Sequence, residues 1–114
     1  MSFRFSHRLY LRYAVRYPVI FGASFCVGEG HLLDLSFRGC SIHCDRRLPV
    51  GEPVRLGVLL PDRARALPIE SGIVKWVEDG RFGVEFLDLS SDARQRLNRE
   101  LRGALIHRLE RCDR

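Results

Sequence analysis

The chain lacks any long apolar run, and no acidic side chain precedes Glu29. A membrane-spanning helix needs about 18 or more consecutive apolar residues, and no segment approaches that length. Charged residues also stand near the N-terminus where a signal peptide would have its apolar core. These absences exclude a membrane span, and we expect the protein to stay in the cytoplasm.

The sequence also lacks the residue groupings of an enzyme or a metal site. It contains no nucleophile paired with a base, no paired carboxylates and no phosphate-cradling glycine loop with its following helix. The segment from Cys40 to Cys44 suggests metal ligands, but strand alternation puts Cys40, Ile42 and Cys44 on one face and His43 on the other. We predict a non-enzyme with free thiols, no cofactor and no bound metal.

Positive charge is concentrated in the first part of the chain. The net charge is +5, and the N-terminal arginines recur every four residues: Arg4, Arg8, Arg12 and Arg16. An anionic ligand is the natural partner of such a segment, although nucleic acid or a membrane surface also attracts it. Charge alone does not choose among these partners.

Short apolar segments broken by glycine and proline predict a mainly β domain of 114 residues. We expect strands over 17–27, 31–35, 39–44, 54–60, 67–77 and 81–86, with Gly28-Glu29-Gly30 as the first turn. Asp79-Gly80 is the strongest hairpin signal. Closure of six antiparallel strands into a small barrel would remove exposed sheet edges. The phenylalanines at 21, 25, 82 and 86 are assigned to its interior or lining.

A helix is predicted over 91–111, because apolar residues then recur every four positions and Ser90 suits the N-cap. Two interpretations of its leucine stripe stay open. The stripe caps one end of the barrel, or Leu105, Ile106 and Leu109 pack on another protein or form a homodimer. The predicted division is a flexible basic arm at 1–16, a barrel at 17–89 and a helix at 90–112.

Two motifs together describe a site for a phosphorylated guanine nucleotide. Arg12 and Arg16 can fork onto phosphate oxygens and the O6/N7 edge of guanine. Asp34 can accept hydrogen bonds from guanine N1 and N2. Ser36 lies on the same face of a strand, and Gly39 permits positive φ and close approach of the backbone to a ligand.

This combination, R-x-x-x-R followed by D-x-S-x-x-G, resembles the PilZ domain family of bacterial cyclic di-GMP receptors. The resemblance extends from about residue 10 to about residue 101, through Gly51-Glu52-Pro53-Val54 and Gly83-Val84-Glu85-Phe86. It implies a six-stranded barrel that binds cyclic di-GMP through Arg12, Arg16, Asp34, Ser36 and Gly39. It also implies that the arm folds across the ligand as a lid, which suits a switch rather than an enzyme.

Four further residues are secondary candidates for ligand contact. Arg8 can replace the arginine that some family members carry at the position of Leu11. Arg38 is either a cation facing the ligand or a partner for a nearby carboxylate. Ser41 can border the ligand, and Trp76 is either a stacking face for guanine or part of the core.

The predicted function is therefore a cyclic di-GMP receptor that relays its signal to a partner protein, in motility, biofilm, polysaccharide or virulence control. A different class, a basic small barrel that binds nucleic acid, is less favoured and predicts steep salt dependence. A PilZ-like adaptor without nucleotide binding is the third alternative.

Overall fold

A computed structural model describes residues 13–61 and 65–112, with side chains from 13 to 61 and from 65 to 107. Within them the chain forms a closed antiparallel barrel in the order β1-β2-β3-β6-β5-β4, followed by a C-terminal helix. The elements are β1 Tyr13–Gly22, β2 Val27–Leu35, β3 Gly39–His43, β4 Pro53–Val58, β5 Leu67–Glu78, β6 Arg81–Asp88 and α1 Ser91–Cys112. The predicted mainly β barrel with one C-terminal helix is confirmed.

Alternation along the strands fills the barrel with apolar side chains. Phe21 on β1 and Phe82 on β6 meet edge to face inside it, with ring centroids 5.4 Å apart, a favoured arrangement of two aromatic rings. Leu32 and Ile42 occupy paired positions on β2 and β3 and are fully buried. Phe25 is the exception to the predicted interior set, because it lies in the β1–β2 connection and is 60% exposed.

The first strand begins at Tyr13, four residues before the predicted start at Tyr17. Arg16 therefore lies on a barrel strand and not in a flexible arm. The strand begins earlier because its pairing with β2 extends past an irregularity between Ala14 and Tyr17 and reaches Tyr13, which lies opposite Leu35. The rest of the predicted arm, residues 1–12, lies outside the described residues.

The predicted turn at Gly28-Glu29-Gly30 is wrong, because these residues belong to β2. Chain reversal occurs instead over Ala23–Cys26, where the Ala23 amide donates to the Cys26 carbonyl at 2.8 Å. Gly28 and Gly30 are needed because neither position has room for a side chain. A Cβ on Gly28 would come within 2.5 Å of the Phe21 ring, and one on Gly30 within 2.3 Å of the His43 carbonyl oxygen.

Hydrogen bonds fix the β1–β2 turn to the segment that precedes β4. Both the amide and the hydroxyl of Ser24 donate to Glu52, the amide at 2.9 Å. The hydroxyl hydrogen bond, followed by the amide one, lowers the pKa of the Glu52 carboxyl, since both favour its ionised form. Glu52 of the Gly51-Glu52-Pro53-Val54 segment thus has a structural role.

The hairpin predicted at Asp79-Gly80 is confirmed. Both residues have positive φ, 35° and 76°, which is the backbone that a tight hairpin between twisted strands requires. The turn joins β5 to β6, and the Cys44 amide donates to the Gly80 carbonyl at 3.0 Å. This contact ties the end of β3 to the same hairpin.

The C-terminal helix caps one end of the barrel with its first half. The Ser90 hydroxyl accepts a hydrogen bond from the Ala93 amide at 3.1 Å, so the predicted N-cap is confirmed. Ala93 and Leu97 are fully buried, and Leu101 packs against the core. Further along, Ile106 is 57% exposed. The capping interpretation holds for the first half, and packing of the second half on another protein stays a prediction.

No helix in the described part of the chain is long and apolar enough to cross a membrane.

Candidate functional site

Asp34 is fixed on the outside of the barrel by its neighbours on both sides. It lies opposite Ala14 of β1 and opposite Ser41 of β3, just after an irregularity in β2. The Ser41 hydroxyl donates to Asp34 Oδ2 at 2.7 Å, although Ser41 itself is only 3% exposed. A buried hydroxyl therefore orients the carboxylate, while the carboxylate remains partly exposed.

Ser36 organises the turn between β2 and β3. Its hydroxyl oxygen accepts hydrogen bonds from the amides of Arg38 and Gly39, at 3.2 and 3.1 Å, and the hydroxyl lies 3.2 Å from the Gly39 carbonyl, to which it donates. The side chain is 3% exposed. The structure thus gives Ser36 the role of pinning the turn, and direct contact of its hydroxyl with a ligand stays a prediction.

Gly39 is required by strand packing. It has no positive φ, since the described glycines with positive φ are Gly51 and Gly80. A Cβ at Gly39 would lie 2.3 Å from the carbonyl oxygen of Val84 on β6. The positive φ that we expected at Gly39 is therefore absent. Glycine is needed there because the backbone of β3 approaches β6 too closely to leave room for a side chain.

Arg16 lies near Asp34 on the neighbouring strand. Its side chain is exposed, and it follows two residues after Ala14, the partner of Asp34. Two residues of extended chain span no more than about 7 Å. The barrel thus brings a cation of the first motif beside the carboxylate of the second. Arg12 and Arg8 lie outside the described residues, and their predicted contacts stay predictions.

Trp76 lies on the outer face of the barrel and not in the core. It pairs with Gly83 of β6, and a Cβ on Gly83 would come within 2.0 Å of the indole Nε1. The missing side chain at Gly83 therefore lets the indole rest on the sheet. Trp76 is partly exposed, so part of its indole is accessible for stacking.

Strand register joins these residues into one transverse row. Directly paired residues of antiparallel strands point to the same side of the sheet. The pairs run from Ala14 to Asp34, from Asp34 to Ser41, from Ser41 to Gly83 and from Gly83 to Trp76. We call these five residues the outer row: Ala14, Asp34, Ser41, Gly83 and Trp76. The secondary candidate Trp76 thus lies on the same face as Asp34, and the buried Ser41 lies between them in the row.

Arg38 extends from the turn toward a carboxylate on β6. Its guanidinium lies 3.4 Å from Glu85 Oε2, and Lys75 Nζ lies 3.6 Å from Glu85 Oε1. Of the two roles considered for Arg38, pairing with a carboxylate is the one the structure shows. Contact with a ligand stays a prediction.

A hydrogen bond that sequence patterns did not suggest joins the barrel to the helix beside Arg16. The Tyr17 hydroxyl donates to Glu100 of α1. Burial raises the pKa of Tyr17 well above its usual value, and the hydrogen bond and the charge of Glu100 raise it further. The two residues are 83 positions apart in sequence, so neither local spacing nor a motif could have revealed the pair.

Replacing Tyr17 with phenylalanine is expected to reduce the loss of stability at alkaline pH. A tyrosine in the unfolded chain ionises near pH 10, whereas the folded protein holds its proton to higher pH. Its stabilising contribution is therefore complete below about pH 10 and is lost as pH rises toward the folded-state pKa. Thermal unfolding measured between pH 8 and 11 tests this prediction. Plots of Tm against pH that run parallel for wild type and Tyr17→Phe would contradict it.

The cysteines of the described residues show no grouping for a metal. Cys26, Cys40 and Cys44 are free thiols, and no group of three or more histidine, cysteine or acidic side chains in the described ranges could hold an ion. Burial raises the pKa of the Cys44 thiol, and its Sγ donates to the Arg46 carbonyl at 3.4 Å. Burial therefore keeps this thiol protonated and poorly nucleophilic.

The family model described as the PilZ domain matches residues 4–103. The chain belongs to the PilZ domain family. Both sequence motifs and the outer row lie inside the matched range. No curated protein matches the chain significantly in sequence.

Two solved structures show the same PilZ fold at low sequence identity. The PilZ domain of CeSA from a cellulose-synthesizing bacterium is 18% identical, with a TM-score of 0.67 over 82% of this chain and 96% of that one. The Bacillus subtilis inhibitor of motility, MotI/DgrA, is 19% identical, with a TM-score of 0.69 over 89% of this chain. The match covers 50% of the inhibitor's chain. At this identity the likeness concerns the fold alone.

Proposed function

We propose that this PilZ domain is a cyclic di-GMP receptor that binds its ligand across the outer row. The observation that carries the proposal is the placement of Asp34, Trp76 and the neighbouring Arg16 on one face of the barrel. Asp34 and Trp76 lie three strand spacings apart, which is about 14 Å along the sheet. A dinucleotide can reach both ends of this distance, whereas a single base is too small to do so.

Each group on this face matches one part of the ligand. Asp34, held by the Ser41 hydroxyl, can accept hydrogen bonds from N1 and N2 of one guanine. The accessible part of the Trp76 indole can stack on a base. Arg16 and Arg12 supply guanidinium groups for the phosphates, and Ser36 and Gly39 keep the motif turn in place. The domain binds and releases the nucleotide without chemical change.

The signal would pass to a partner protein. Contact of the ligand with Arg12 and Arg16 would shift the population toward a form that the partner recognises. Support for a contact surface comes from three exposed apolar side chains on or beside β1: Ile20 is 55%, Val27 is 69% and Leu59 is 44% exposed. The proposed setting is the bacterial cytoplasm, in motility, biofilm, polysaccharide or virulence control.

The test is a calorimetric titration of the intact protein with cyclic di-GMP and, separately, with GMP. Saturable binding of cyclic di-GMP at micromolar or lower concentration, with a change in fluorescence of the single tryptophan, Trp76, supports the proposal. GMP should bind far more weakly, because it reaches only part of the outer row. Absence of saturable binding would refute the receptor function and favour an adaptor that does not bind nucleotide.

A single-stranded oligonucleotide in the same titration tests the alternative function. If the protein is a cyclic di-GMP receptor, the oligonucleotide should either fail to bind or be displaced by cyclic di-GMP. Equal competition by the oligonucleotide, with affinity that falls steeply as salt is raised, would identify a nucleic-acid-binding barrel instead.

A further inference from the structure

Glu85 holds two cations beside the proposed ligand surface. It comes from β6, whereas Arg38 comes from the β2–β3 turn and Lys75 from β5. One carboxylate oxygen lies 3.4 Å from the Arg38 guanidinium, and the other lies 3.6 Å from Lys75 Nζ. A single carboxylate thus draws together positive groups from two separate parts of the barrel.

The position of Glu85 places this cluster next to the outer row. Glu85 follows two residues after Gly83 on β6, so both point to the outer side of the sheet, about 7 Å apart along the strand. Gly39 lies directly opposite Glu85 on β3. A dianionic ligand lying across the outer row would therefore bring its phosphates close to this carboxylate and its two cations.

Both ion pairs are loose enough to be exchanged. Their distances exceed the roughly 2.7–2.9 Å of a tight charged hydrogen bond. The side chains of Arg38 and Lys75 are 52% and 54% exposed, and that of Glu85 is 33% exposed. Exposed pairs of this kind contribute little to folding. A phosphate could therefore take over either cation at small cost to the barrel.

We infer that the Glu85 carboxylate competes with the phosphates of the ligand for Arg38 and Lys75 and thereby sets the affinity of the site. This inference rests on the proposed function. In the free protein the carboxylate occupies Arg38 and Lys75, and in the complex it opposes the incoming negative charge. Glu85 is thus an affinity-determining residue that neither motif contains.

Replacing Glu85 with glutamine is expected to tighten cyclic di-GMP binding by about two- to five-fold, the range expected for one exposed ion pair. The matched control is Glu78→Gln. Glu78 also pairs with an arginine on the same hairpin, Arg81 at 3.5 Å, but at the end that carries the turn. Both variants remove one negative charge, so a gain confined to Glu85→Gln identifies a local effect. Calorimetry at two salt concentrations measures it, and the gain should shrink at the higher salt.

A second substitution shows whether the gain passes through the released cation. In the Glu85→Gln background, Arg38→Gln should cancel a large part of the gain, because these two residues act as a coupled pair. If wild type binds and Glu85→Gln binds no more tightly than Glu78→Gln, the inference fails while the receptor function stands. Weaker binding by Glu85→Gln would also overturn it, since the carboxylate would then contact the ligand. If wild type does not bind at all, the receptor function fails and the inference with it.

Discussion

Replacing Arg16 with alanine is expected to weaken cyclic di-GMP binding at least about 30-fold, which corresponds to about 2 kcal/mol. Arg16 is exposed and lies two residues from the strand partner of Asp34. Its guanidinium can therefore hold a phosphate or guanine by a charged fork while Asp34 holds a base. A hydrogen bond between two charged groups is about twice as strong as a neutral one. Removing the side chain leaves that part of the ligand without a partner.

Arg55→Ala is the matched control for this prediction. Arg55 is likewise exposed on a barrel strand, but it lies on β4 opposite Gly22, away from the outer row. Both variants lower the net charge by one, so their difference isolates the position of the charge. Calorimetry gives the affinities, and thermal unfolding checks that both variants fold. Affinities within about three-fold of each other would show that Arg16 contributes only general attraction.

Lysine at position 16 separates charge from geometry. If the fork matters, Arg16→Lys should recover only part of the lost affinity, because an ammonium group cannot make two parallel hydrogen bonds to one planar partner. Full recovery would indicate a simple point charge.

The hairpin and the helix could be predicted because their signals are local. Asp79-Gly80 supplies two consecutive residues that adopt positive φ, which few other sequences do without strain. Ser90 before the spaced apolar residues marks a helix start by a hydrogen bond within three residues. Features that depend on neighbours in sequence are therefore recovered well.

Glycine shows where local signals fail. Gly28-Glu29-Gly30 predicted a turn because glycine tolerates unusual φ, yet these glycines lie in a strand where side chains would collide with Phe21 and His43. Conformational freedom and lack of volume are two separate reasons for glycine. Sequence alone does not distinguish them, since the colliding groups come from other strands.

Only part of the candidate site could be predicted, because the rest depends on how separate strands pair. Asp34 and Arg16 belong to motifs and could be named from the sequence. The alignment of Trp76 with Asp34 depends on the register of four strands and on irregularities between Leu32 and Asp34 and between Val74 and Trp76. One residue of slip would turn either side chain to the other face. The Tyr17–Glu100 hydrogen bond depends in turn on how the helix packs on the barrel.

Replacing Gly39 with alanine is expected to lower the free energy of unfolding by about 3 kcal/mol, at the upper end of the usual cost of overpacking. The new Cβ would lie 2.3 Å from the Val84 carbonyl oxygen. That oxygen belongs to the backbone of β6 and cannot rotate away as a side-chain end would. Strands β3 and β6 would therefore have to shift at the point where the motif turn ends and β3 begins. Urea unfolding followed by circular dichroism measures the change.

Gly57→Ala tests whether the effect comes from the collision or from glycine in general. Gly57 lies on β4, has no positive φ, and its nearest neighbour to an added Cβ is the Ala66 Cβ at 3.7 Å, an ordinary contact. Alanine there should be neutral or stabilising by about 0.4–1 kcal/mol, because it restricts the unfolded chain. If Gly39→Ala is tolerated as well as Gly57→Ala but loses nucleotide binding, the motif glycine serves the ligand and not the packing of the two strands. If Gly39→Ala unfolds in less urea and the folded fraction still binds, strand packing is the reason that the motif requires glycine.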